Sequence, residues 1–88
     1  MTAERIRNYT EERDKMLLKC SVEELRKFVK KYDEFYSAEM HYIFMTASNE
    51  VLEITLHKMI FHASNMPAPR REKSREWLLR HGYDLSIV

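Results

Sequence analysis

Four cations stand close together late in this chain: Arg70, Arg71, Lys73 and Arg75. They fall in the opening turns of a predicted helix, where positive charge opposes the macrodipole and adds nothing to helix stability. A basic helix start suits an anion, and the phosphates of a nucleic acid in particular. Glu72 and Glu76 are interspersed, however, so a solvated or internally paired cluster is the plainer reading.

Metal and thiol chemistry have fewer candidates. Glu53 and His57 stand four apart, as ligands sharing one helix face do, and Lys58 and His62 form a second such pair. His57 and His62 point about 140° apart around a helix, and two ligands do not define a zinc site. No metal or other cofactor is expected. Cys20 precedes a helix start, where the dipole can activate a thiol, but it also fits as a small apolar staple against Leu25. The closing Ser86-Ile87-Val88 has the form of a C-terminal peptide captured by strand addition, although a tail folded onto its own domain accounts for it more simply. Catalysis is not expected. Gly82 is the only glycine, so neither a dinucleotide fingerprint nor a phosphate-cradling loop can form, and hydrolase and kinase signatures are absent.

The elements that must position these residues are helical. One glycine and two neighbouring prolines, Pro67 and Pro69, leave almost none of the punctuation that hairpins and sheets require. The 88 residues suit a single all-α domain over 1–88, with about four helices around one modest core. Fifteen Lys and Arg against fourteen Asp and Glu give a net charge of +1, so no global field draws the chain to nucleic acid or anionic lipid. A single cysteine fits a reducing compartment, by default the cytoplasm. No run reaches the roughly 18 apolar residues of a membrane span, and the first twenty are too charged for a signal peptide, so a soluble protein with no membrane partner is expected.

The first helix should start behind Thr2 and end near Lys19, with Ile6, Tyr9, Met16, Leu17 and Cys20 on one side. Arg13 interrupts that stripe, its stem on the core or its head in an interface. Ser21 and Glu24 form a capping box for a second helix over 22–36. Val22, Leu25, Phe28, Val29, Tyr32, Phe35 and Tyr36 make its apolar face, and the opposite face is charged. Pro67 and Pro69 mark a linker, and Pro69 opens a fourth helix ending near His81, with Gly82 as its left-handed cap and Tyr83 folding back on Leu78. Trp77 and Leu78 anchor that helix, and the tail lies extended across the bundle. No internal repeat is evident.

Between them, residues 38–63 read as a central helix rich in large apolar side chains. Glu39, Thr46, Glu50, Glu53 and His57 form a narrow polar stripe, and most of the remaining circumference is apolar. One helix of that length would span about 39 Å, longer than the roughly 30 Å of a compact domain this size. Either it breaks at Thr46, Ala47, Ser48 and Asn49, where hydroxyl and amide side chains can cap a new start, or its end protrudes and is buried by a second copy. The second alternative is slightly favoured, with Met40, Phe44, Met45, Leu52, Leu56 and Met59 as interface residues.

The segments SVEELRKFVKKYDEFY, EVLEITLHKMIFH and SREWLLRHGYDLSI resemble small helical proteins encoded by Gram-positive gut bacteria and their mobile elements. The resemblance covers most of the chain and implies a bacterial cytoplasm; it brings no function and no site residue. The function expected from the residues is that of a small helical interaction or regulatory module, self-associating as a homodimer or meeting another protein. The alternative is a nucleic-acid-associated accessory factor that uses the basic start of the fourth helix.

Overall fold

The computed structural model describes residues 2–86. Five α-helices follow one another: α1 (Ala3–Lys19), α2 (Val22–Lys31), α3 (Ala38–Thr46), α4 (Asn49–His62) and α5 (Ala68–Arg80). A 3₁₀ turn, Asp33–Phe35, lies between α2 and α3. No strand forms among the described residues, as the lack of turn residues implies.

Hydroxyl side chains set the starts of the first four helices. The Oγ atoms of Thr2, Ser21, Ser37 and Ser48 accept hydrogen bonds from the backbone N–H three residues on, at 3.1, 3.3, 3.1 and 3.2 Å. Each satisfies a donor that the first helical turn leaves orphaned. Helix α5 has no such cap; Pro67 precedes it, and Pro69 in its first turn sacrifices no ladder bond. Its other end is a Schellman motif. Gly82 takes φ +80°, and the Tyr83 and Gly82 N–H groups donate to the Leu78 and Leu79 carbonyls at 2.9 and 3.1 Å.

Helices α1 and α2 form a hairpin around Cys20, whose left-handed backbone (φ 49°) makes the corner. Leu17, Leu25, Val29 and Tyr32 from this hairpin meet Leu52, Leu56 and Ile60 of α4 in one core, and α5 packs along α4 with Ser74 and Leu78 inward. Helix α3 lies against α2 and contributes a single buried side chain, Phe44.

Two expectations change. The second helix ends at Lys31, not near 36. Arg5 donates to the Lys31 carbonyl at 2.7 Å, satisfying one of the acceptors a helix end orphans, and its guanidinium lies 4.1 Å from the Tyr32 ring centroid. The 3₁₀ turn that follows brings Phe35 into a stack on Tyr9, 4.1 Å between centroids, and the Tyr36 hydroxyl to 3.2 Å from that of Tyr9. The central segment is also two helices. Ala47 and Ser48 are extended (ψ 151° and 158°), Ser48 caps α4, and the Arg26 guanidinium donates to the Phe44 and Ala47 carbonyls and, at 2.6 Å, to Asn49 Oδ1. One side chain from α2 thus satisfies two of the backbone acceptors at the break. With the break in place α3 and α4 span about 14 and 21 Å at 1.5 Å per residue, each shorter than the domain, and the length argument for a second copy falls away.

Candidate functional site

The basic cluster on α5 does not form one patch. At 100° per residue, Arg71 and Arg75 fall on one side of the line of buried residues Ser74 and Leu78, while Arg70 and Lys73 fall on the other. Arg75 is paired with Glu72 at 3.1 Å, and the Arg71 Nε is buried without a hydrogen-bond partner among the described residues. At the N-terminus the Pro67 carbonyl accepts from the N–H groups of Arg70 and Arg71, the first bonds of the helix, and Pro69 has no N–H to offer, which leaves few backbone donors for an anion.

His57 faces inward. Its Nδ1 lies 3.0 Å from the Ser74 hydroxyl and its Nε2 3.9 Å from Cys20 Sγ, so the imidazole links the α1–α2 corner to α5. Its ring stacks on Trp77 at 4.1 Å, and Trp77 stacks in turn on His81. Burial, above all, holds the His57 pKa below its ordinary 6.5; Glu53 opposes this, and Arg70 and His81 reinforce it. The ring is therefore neutral at pH 7, one nitrogen donating and the other accepting. This chain is a polar tie across three elements. Cys20 holds one end of it and, partly buried, also packs against the core that includes Leu25. No group of three or more metal-ligating side chains occurs among the described residues.

His62 and Lys58 hold the tail. His62 Nε2 is 2.6 Å from the Leu85 carbonyl, and Lys58 Nζ donates to Asp84 at 3.3 Å, laying residues 83–86 over the end of α4. Ile87 and Val88, the last two residues of the strand-capture motif, lie outside the described residues.

Of the six interface candidates, Phe44, Leu52 and Leu56 are buried in the core of this chain, and Met45 and Met59 are partly buried against it. Met40 is on the surface, 43% exposed. It is one of three exposed large hydrophobics that α3 carries, of seven among the described residues. α3 exposes Met40, Tyr42 (68%) and Ile43 (44%), and Glu39 is its only Lys, Arg, Asp or Glu. Tyr42, Thr46, Glu39 and Ile43 fall within an arc of about 100°, with Met40 about 60° further round.

A second surface is built by one pattern used twice. Glu12, Lys15, Met16 and Lys19 on α1 repeat as Glu24, Lys27, Phe28 and Lys31 on α2, the form E-x-x-K-apolar-x-x-K. At that spacing the four residues of each helix share one face, and together they line a groove of about 310 Å³ between the two helices. The ends are neutralised diagonally: Lys31 Nζ donates to Glu12 at 2.8 Å, and Lys19 stands 3.6 Å from Glu24. The bond from Lys31 lowers the Glu12 pKa, and that from Glu12 raises the Lys31 pKa, each favouring the charged form. The middle is cationic. Lys15 has no carboxylate partner among the described residues, and Lys27 has only the exposed Glu23 at 3.5 Å. The floor is apolar, from Met16 and Phe28. This groove was missed from the sequence, where the shared spacing twelve residues apart was the available signal.

No family model, curated protein or solved structure matches this chain. Among the described residues no helix is long and apolar enough to cross a membrane.

Proposed function

We propose that this protein is a small helical interaction module that self-associates, and that α3 is its docking helix. One observation carries the reading. A nine-residue helix with one charged residue keeps Met40, Tyr42 and Ile43 in water and buries a single ring, Phe44, with Met45 partly covered beside it. Exposing that much apolar surface on so short a helix costs free energy that a partner surface recovers. Tyr is favoured as an interface anchor because it buries a large ring while fixing few rotors. The role is binding rather than catalysis, and a reducing, cytoplasmic setting suits the unpaired thiol of Cys20.

Light scattering across micromolar concentrations tests this. Wild type should show a mass above that of one chain, and Tyr42→Asp should return it to one chain with an unchanged far-UV spectrum. A wild type that stays at one chain throughout would overturn the reading.

A further inference from the structure

We infer that the lysine groove of one copy seats α3 of the next, so that self-association is head-to-tail. The inference rests on α3 being the docking helix and adds the surface it meets. Charge selects that surface. From Tyr32 to His57 the chain has no Lys or Arg but carries Asp33, Glu34, Glu39, Glu50 and Glu53. Glu34 is already paired with Arg5, so the carboxylate of α3 itself is Glu39, and two α3 helices placed face to face would set it against its own copy with no Lys or Arg on either helix to offset it.

The groove has the opposite character. Its ends are internally neutralised, and the uncompensated charge sits on Lys15, with Lys27 beside it paired only to the exposed Glu23, above the apolar floor of Met16 and Phe28. A cavity of about 310 Å³ takes one large side chain together with part of a neighbour. Tyr42, the most exposed large hydrophobic among the described residues, is that side chain. Its ring lies on the floor between the aliphatic lysine stems, where the ammonium groups also meet its π face. Glu39, one turn earlier on the same arc, reaches a rim ammonium. Because the two surfaces differ, each contact leaves one α3 and one groove open, and the assembly either closes into a ring or continues.

Complementation decides the matter. The probes are the full chain as Tyr42→Asp and as the double variant Lys15→Glu/Lys27→Glu, all at exposed positions, with circular dichroism confirming the fold. Sedimentation velocity at low ionic strength should show each variant alone as one chain, with at least tenfold weaker association than wild type. An equimolar mixture should form a one-to-one pair and stop there, since one intact α3 meets one intact groove and the remaining surfaces are dead. A groove variant that associates like wild type while Tyr42→Asp does not would overturn the head-to-tail contact and leave α3 as the docking helix. A mixture that stays monomeric would likewise overturn it. If Tyr42→Asp associates like wild type, the docking role of α3 fails along with the groove.

Discussion

Helices α3 and α4 are neighbours of similar apolar content, yet they treat their side chains differently. α4 buries Leu52, Leu56, His57 and Ile60; α3 buries Phe44 alone. The cause is tertiary. α1, α2 and α5 all pack on α4, whereas α3 lies chiefly against α2. Apolar content thus sets how much surface seeks cover, and the topology decides which part finds it within the chain.

The largest expected effect is in α4. Leu56 is fully buried, so Leu56→Ala should cost about 2 to 5 kcal/mol by lost burial and the cavity left behind. Ile43→Ala, on the outward face of α3, should stay within about 0.5 kcal/mol. Denaturant midpoints at unchanged m-values check both, and equal losses would erase the distinction between the helices.

A smaller effect tests the joint. Arg26→Ala removes three hydrogen bonds from one guanidinium and should cost about 1.5 to 3 kcal/mol, since bonds to charged groups are the stronger ones. Amide exchange should then rise in α3 before it rises in α4. Uniform acceleration would show that the clamp supports the core as a whole.

The smallest effect concerns the inward face of α4. The folded pKa of His57 lies below its unfolded value, so its contribution is complete above about pH 6.5 and is lost as pH falls through the folded value, where the unfolded chain binds the extra proton. His57→Gln should flatten the difference in stability between pH 7 and pH 5 relative to wild type. An unchanged profile would assign the acid sensitivity to other groups.

The helices were legible where local chemistry fixes them. Ser21 with Glu24, and Gly82 after the last turn, placed two helix ends because caps act over three or four residues. The break at 47–48 was visible as an alternative through the hydroxyl and amide side chains of Thr46, Ser48 and Asn49, but deciding it required Arg26, which lies in the sequence among the charged residues of the second helix and acts more than twenty positions away. Leu52 and Leu56 were correctly read as apolar and wrongly offered to a second copy, since no local pattern tells which neighbour covers an apolar face. The candidate site was less legible still. Tyr42 stood out neither by spacing nor by composition, and the groove depends on two short patterns that matter only once the hairpin folds them side by side.

That hairpin has a consequence for orientation. Because α1 and α2 run in opposite directions and carry the same pattern, the groove has an approximate twofold axis. A helix entering it meets carboxylate, ammonium, apolar floor and ammonium in the same order whichever way it points. Apart from the exposed Lys27–Glu23 pair, which is worth little in water, the equivalence fails at one place, where a flexible thioether at Met16 stands opposite a flat ring at Phe28. Direction is therefore chosen by the shape of the floor, and charge, which draws the helix in, leaves its polarity undecided.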